Sequence, residues 1–471
     1  MRIVFVHAPY AAREVPGRDL YWERLDDRYY PAHPRARRMR RVMWELPHWI
    51  PWLAGVVATD GTFETATLNL YVDGSVTDGI DEELVRREVS RCPGDVYLFS
   101  PMTVNLPQAL RVAEIVKEEY PRARTVFGGI VATPLRAELA RHRSVDVVVH
   151  GPGEEALMGL LTAFASGADW TGTGNLAFDA GAGRVHVTPA RHDRTPLSSL
   201  PFPKVDVFDP SVGGEIRYIR QNYALGCPFR CDFCTIQTIG RRPQYALPDR
   251  VFAEIDAYRD RYGAHHSVYF GDETFTLNTD RTLDICALLA RRGDVHFDCQ
   301  TRLNCLNDVR LPSALYAAGC RWLEVGLESL NQATQDSMKQ WTRLGALREI
   351  LRRLRDAGLL VCTYTIIGLP VESRDDMCRT VDQVAALIDE GLLTASYVSV
   401  FVPYPGTSYF AAPERHGMRL HHREFDRYHE ELPPVFDTPL ATPDEVYSVY
   451  LDALRKFGGA MESGALNAEV S

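Results

Sequence analysis

In the run Leu225-Gly226-Cys227-Pro228-Phe229-Arg230-Cys231-Asp232-Phe233-Cys234, three cysteines recur with three and then two residues between them. Thiols this close in sequence can converge from one loop on three corners of an iron–sulfur cube, leaving the fourth iron without a protein ligand. An open iron can bind a reactant. Two plainer uses of the thiols fit less well. A structural zinc site has four ligands, usually in two knuckles, and no second Cys-x2-Cys exists among the 10 cysteines. A disulfide framework suits a short secreted chain. This chain has 471 residues, and its early apolar run Ile3-Val4-Phe5-Val6 is too short and too lightly charged at its start for a secretory leader. Cys286, Cys299, Cys305, Cys320, Cys362 and Cys378 are scattered and read as small core hydrophobes.

Residues 1–165 alternate short apolar runs (Ile3–Val6, Thr67–Val72, Asp95–Phe99, Arg124–Phe127, Asp146–Val149) with helical patterns. Strands separated by helices imply right-handed crossovers and a parallel sheet covered on both faces, a doubly wound α/β domain. Any ligand belongs beyond the carboxyl ends of those strands. The loops there carry Asp73-Gly74, Ser100 to Thr103, Gly128 to Thr133 and Gly151 to Glu154, whose glycines either let backbone approach a bulky ligand or are plain turn residues. Residues 166–210, rich in Gly, Thr, Ser and Pro, read as a hairpin and linker. Six further strand–helix units (Tyr218–Leu225, Ser267–Phe270, His296–Cys299, Trp322–Gly326, Val361–Ile367, Tyr397–Val402) fill residues 211–410, and residues 411–471 read as a small cap over a barrel mouth.

The cysteine spacing, with Phe233 just before the last thiol, resembles the signature of the radical S-adenosylmethionine (AdoMet) superfamily. That resemblance implies a partial (β/α)6 barrel, a [4Fe-4S] cluster on Cys227, Cys231 and Cys234, and AdoMet chelated to the free iron and cleaved to a 5′-deoxyadenosyl radical. It also implies AdoMet-binding positions: Asp272 and Glu273 for the methionine ammonium, Gln300, Arg302, Glu328 and Ser329 for the carboxylate and ribose, Ile366 and Gly368 for adenine with Glu372 as orienter, and Phe233 beside the cluster. Other readings of the same residues stay open. Gly271 to Phe275 also suits a capped turn, and Arg302 with Glu328 an internal ion pair. Val371 stands where the family pattern has glycine and Tyr364 where it has a small residue, so Tyr364 is expected to point into the active site.

Gly128-Gly129, Thr133 and Gly153-Glu154 resemble the cobalamin-binding-type domain that precedes the radical core in one large subgroup, and Pro403-Tyr404-Pro405-Gly406-Thr407 resembles a run that subgroup shares with the radical methylthiotransferases of transfer RNA. Cys92 is the only cysteine in the first domain, so a second cluster is not expected there. No Asp-x-His-x-x-Gly marks a lower ligand for cobalamin, and Val131 occupies a position often histidine; bound cobalamin is left open.

Tyr218, Glu324 and Tyr364 are the candidate catalytic residues, and carboxylates facing a barrel suit a small, polar, cationic substrate. The resemblance extends to radical AdoMet dehydratases of aminoglycoside antibiotic biosynthesis, which gives the first expectation: redox-neutral dehydration of an amino sugar. Cobalamin-dependent C-methylation is the alternative, and a non-catalytic iron–sulfur protein the third reading. An electron donor of flavodoxin or ferredoxin type is expected, and a nicotinamide-dependent reductase would be a pathway partner. A net charge of −10 argues against general nucleic-acid binding, leaving the arginine run Arg35, Arg37, Arg38, Arg40 and Arg41 as a solvated surface or local phosphate contact. No segment approaches the ~18 apolar residues of a membrane span, so a cytoplasmic location is expected.

Overall fold

The computed structural model describes residues 1–10, 15–30, 45–70, 80–191, 195–214, 216–238, 242–263, 267–338 and 342–463. The arginine run and Asp73-Gly74 lie outside them. No helix among the described residues is long and apolar enough to cross a membrane.

Ile3, Val4, Phe5 and Val6 are all buried because β1 (Arg2–His7) sits inside a sheet with both faces covered. Alternation splits the run between two cores: Val4 and Val6 face one, Ile3 and Phe5 the other. With β2 (Glu64–Asn69), β3 (Val96–Phe99), β4 (Arg124–Phe127) and β5 (Val147–Val149), β1 forms a parallel sheet. The hairpin β6 (Leu176–Asp179) and β7 (Val185–Val187) extends it antiparallel, in the order β2-β1-β3-β4-β5-β6-β7. The strand read at 67–72 starts at Glu64 instead. It is an edge strand with one side exposed, so threonines rather than an apolar run carry its ladder; residues 71–72 lie outside the described set.

The second sheet has six parallel strands, β8 (Tyr218–Gln221), β9 (Ser267–Phe270), β10 (Phe297–Arg302), β11 (Cys320–Glu328), β12 (Leu360–Ile367) and β13 (Ala395–Val400), paired in that order. β8 and β13 do not pair, so the barrel is open along one side. Leu323, Val325, Leu327, Val361 and Ile367 pack outward against surrounding helices, joined by Leu347, Ile350, Leu351 and Leu354 from one apolar helical stripe. The alternate positions then face the lumen, and they are polar and aromatic: Tyr218, Tyr269, Glu324, Tyr364 and Tyr397 share one internal cavity. The first strand ends at Gln221, short of the expected Leu225, because the Asp272 carboxylate takes the Tyr223 amide and Ala224–Leu225 pair with Gln244–Tyr245.

Two elements cover the open side. Helix α1 (Arg18–Tyr29) belongs by sequence to the first domain but lies against the barrel. Tyr21 donates to the Ser396 carbonyl, Tyr29 to Asp298 Oδ2 at 2.6 Å, and Arg28 Nε to the Met461 carbonyl at 3.0 Å, while Arg217 pairs with Asp26 at 2.8 Å. Helix α2 (Pro443–Ser463) lies beside it, burying Val446, Val449, Tyr450, Ala453, Leu454 and Phe457. The residues above the strand ends come from 401–436 instead, where Phe401, Val402, Tyr409, Met418, Tyr428 and Phe436 cluster with Met338 and Leu369.

Candidate active site

The cysteine loop leaves β8 through Gly226, whose φ of 94° and carbonyl neighbour (a Cβ there would lie 2.8 Å from Arg242 O) suit only glycine. Two acids from the turn after β9 fix this exit: Asp272 Oδ1 accepts from Tyr223 N at 2.7 Å and Glu273 Oε2 from Gly226 N at 2.9 Å. Downstream, Cys234 N donates to Cys231 O at 3.0 Å, Gln237 Nε2 to the same carbonyl at 2.9 Å, and Asp232 N to Met338 O at 3.0 Å. Cys227 and Cys231 are buried and Cys234 half-buried. Burial, reinforced by the two neighbouring thiols, pushes the Cys234 thiol up to about 12. Among the described residues no three His, Cys, Asp or Glu side chains form a group around a single metal ion. A cube instead spreads its thiolates over separate irons, and three soft sulfur donors on one braced loop fit that group.

The positions read for AdoMet divide in two. Asp272 is buried, with no partner for Oδ2 among the described residues, and burial raises its carboxyl to about 8. It braces the cluster loop, with Gln300 Nε2 donating to its carbonyl at 3.1 Å. Ser329 is also internal, its hydroxyl 3.1 Å from Glu372 Oε1 and 3.2 Å from Thr380 Oγ1. Glu372 accepts from Leu369 N at 3.2 Å, which fixes the turn after β12, and burial raises its carboxyl to about 7. Arg302, Glu328, Ile366 and Gly368 lie at the carboxyl ends of their strands, and Phe233 on the cysteine loop. Arg302 Nη1 donates to Cys231 Sγ at 2.8 Å with its guanidinium 3.9 Å from the Phe229 ring centre. Glu328 has a left-handed φ of 64° where the β11–β12 register shifts, a conformation that needs support from its surroundings. Phe233 and Ile366 pack on the aromatic cluster over the strand ends, and Gly368, at φ 82°, lets α2 approach.

The candidate catalytic residues meet in a cavity of about 310 Å³ inside the barrel, with Tyr21, Trp22, Arg220, Tyr269 and Tyr397 also in its wall. Glu324 is the hub. Its Oε2 accepts from Tyr269 at 2.8 Å and from Tyr364. Burial raises the Glu324 carboxyl to about 7, opposed by the two hydroxyl donors and aided by Asp298 and Glu45. Tyr218 stacks on Tyr269 at 5.0 Å. Sequence reading missed Tyr269, Tyr397 and the α1 pair Tyr21 and Trp22. The period-two pattern of the strands carried the signal for Tyr269 and Tyr397; nothing local carried it for α1.

A second cavity, also about 310 Å³, lies where β1 and β3 end, lined by His7, Ala8, Ser100, Pro101 and Met102 together with Glu45, His48, Arg220 and Asn222. The strand order β2-β1-β3 places the sheet's switch point between β1 and β3, where open α/β sheets bind ligands. Burial lowers His7 to about 4 and, with Arg220, His48 to about 3, so both imidazoles are neutral. Arg220 borders both cavities, pairing with Glu45 at 2.8 Å and donating to Gly271 O at 3.1 Å.

An open six-strand parallel barrel whose first strand feeds a three-cysteine loop, joined to a doubly wound domain, defines a two-domain radical AdoMet protein. Residues 222–384 match the radical SAM superfamily and residues 46–161 the B12 binding domain; the chain belongs to the radical SAM superfamily, in the group that carries both. Its cofactors there are a [4Fe-4S] cluster and AdoMet. The chain is 25% identical over 415 residues to the anaerobic magnesium-protoporphyrin IX monomethyl ester cyclase of Rubrivivax gelatinosus, covering 84% of this chain and 70% of that one. It is 27% identical over 322 residues to the cobalamin-dependent radical SAM methyltransferase TokK of Streptomyces tokunonensis, covering 63% and 45%. Its fold matches the radical S-adenosylmethionine methyltransferase TsrM of Kitasatospora setae, solved with cobalamin and a [4Fe-4S] cluster, at a TM-score of 0.68 and 16% identity over 97% of this chain and 88% of that one.

Proposed function

We propose that this chain is a cobalamin-dependent radical AdoMet C-methyltransferase acting on a small polar molecule held in the barrel lumen. The observation that carries this reading is the pair of cavities meeting at Arg220, one at the switch point of the B12-binding-type domain and one in the barrel. The sequence led first to dehydration. Methyl transfer is favoured instead because the relatives include a cobalamin-dependent methyltransferase and none of those compared above is named a dehydratase.

The residues fit the groups this chemistry needs. Cys227, Cys231 and Cys234 would hold the cluster; Glu328, Ile366 and the Gly368 turn would cradle AdoMet; the loops at Ser100 and Gly129 would meet the corrin. Gly129 has φ 88°, and a side chain there would strike Ser100. When bound, the cluster with AdoMet supplies hydrogen-atom abstraction and cobalamin a methyl group. The chain's own part is to place the acceptor carbon between them and keep water out. Glu324 orients the substrate, Tyr269 and Tyr364 fix the Glu324 carboxyl, and α1 closes the side of the barrel.

Reconstitution with hydroxocobalamin followed by gel filtration tests the reading. Stoichiometric corrin absorption co-eluting with protein is expected. Protein that holds its cluster and cleaves AdoMet but retains no corrin would overturn methyl transfer and return elimination to first place.

A further inference from the structure

We infer that the lumen cavity is an aromatic cage for an organic ammonium group, so that the substrate of the methyl transfer proposed above, on which this inference rests, is an amine. Glu324 is 7% exposed, and its two oxygens are used differently. Oε2 is held by the hydroxyls of Tyr269 and Tyr364. Oε1 accepts no hydrogen bond among the described residues, although Glu324 borders the cavity. A buried carboxylate keeps its charge at low cost only when both oxygens find donors. The tyrosines supply one side, and the carboxylate borders the cavity, where a donor carried by a ligand can reach its other oxygen.

The surrounding wall suits a cation. Tyr218 and Tyr269 stack with centroids 5.0 Å apart, Tyr364 and Tyr397 at 5.4 Å, and Trp22 stands 5.7 Å from Tyr397. Aromatic rings attract ammonium groups through their quadrupoles, most strongly where water is excluded. Further along the same wall lie Glu430 and Glu431, the first accepting from Tyr404 at 2.6 Å and the second paired with Arg18 at 3.0 Å. Arg220 is the lysine-or-arginine side chain in the lining, and its guanidinium is already engaged by Glu45 and Gly271. A neutral alcohol could donate to Oε1 as well, but would leave both charge and ring faces unused.

Titration calorimetry on the cluster-loaded protein with cyclohexylammonium and cyclohexanol, at mildly alkaline pH, separates the two. The ammonium is expected to bind at least about tenfold more tightly, by charge pairing and ring contact together. In Glu324→Gln the preference should shrink to within about twofold, while Tyr397→Leu, at the cage wall, should weaken the ammonium about fivefold and the alcohol little. Circular dichroism and melting temperature check that each variant is folded. Equal binding of the two rings by the native protein, or a preference that survives Glu324→Gln, overturns the cage. The readout needs no turnover: charge preference without corrin retention sinks methyl transfer alone, and methyl transfer without charge preference sinks the cage alone.

Discussion

Glu324 ties stability to pH in a way that can be measured apart from catalysis. Its carboxyl titrates at about 7 in the fold against an ordinary 4.5, chiefly because burial disfavours the charge. Tyr269 and Tyr364 oppose the rise, and Asp298 and Glu45 add to it; Tyr21, Tyr218, Arg220, Tyr397, Glu430, Glu431 and Tyr450 are the other titratable groups of the same wall. Between those two values the folded state keeps a proton that the unfolded chain releases, so stability falls as pH rises through the window. A shift of this size corresponds to roughly 3 kcal/mol once the group is fully ionised. Asp272 and Glu372 slope in the same direction, which makes the comparison with Glu324→Gln the informative one. Urea unfolding at pH near 5 and near 8 should show the native chain losing roughly 2–3 kcal/mol more than the variant. Parallel losses would mean that Glu324 is not desolvated.

Loops and helices in this chain are set by a few backbone positions with no tolerance for a side chain. At Gly226 the left-handed backbone and the Arg242 carbonyl together should make Gly226→Ala cost about 1–3 kcal/mol and loosen the cluster loop. Iron and sulfide content per chain is expected to drop well below that of the native protein prepared alongside; full loading would show that the loop tolerates the shift. At Gly368 a Cβ would lie 2.5 Å from Val446 Cγ1 on α2, so Gly368→Ala should destabilise by about 2–4 kcal/mol. Adding Val446→Ala removes the collision but leaves the φ of 82°, and about half the loss should return. At this scale the sequence was informative where chemistry is local. The spacing of Cys227, Cys231 and Cys234 and most strand runs of both sheets follow from short-range pattern, and the placing of Tyr364 in the lumen from its departure from the family motif. The partner of a side chain does not: Asp272 reads as an ammonium ligand or as the cap of a turn, and only the Tyr223 amide at 2.7 Å shows what its Oδ1 holds. Helix α1 was hidden for a related reason. Its buried positions Tyr21, Leu25 and Tyr29 are aromatic or apolar at helical spacing, which announces a covered face without saying that another domain covers it.

The two sheets are held as one body by parts that cross between them, and this decides how the molecule should come apart. Arg220 on the first barrel strand reaches Glu45, and Phe410 and Phe425, from the segment above the barrel, pack against the first domain's core. Helix α1, which by sequence belongs to the first domain, brings a side chain into the barrel interior at both ends: Tyr21 to the Ser396 carbonyl, Tyr29 to Asp298 and edge-on to Trp322 at 5.2 Å. Were the domains independent, a lesion in α1 would lower only the melting of the element it touches. Tyr29→Phe keeps the ring and removes one buried donor, at a cost of about 1–3 kcal/mol. Because the Arg220–Glu45 pair and the packing of Phe410 and Phe425 join the barrel to the first domain, that loss should shift a single transition seen equally in near-ultraviolet circular dichroism and in the amide hydrogen exchange of β3 and β11. Exchange that accelerates in β11 while β3 keeps its protection would show that the first domain stands alone, and the lumen would then owe its closed side to a helix that can leave without unfolding the rest.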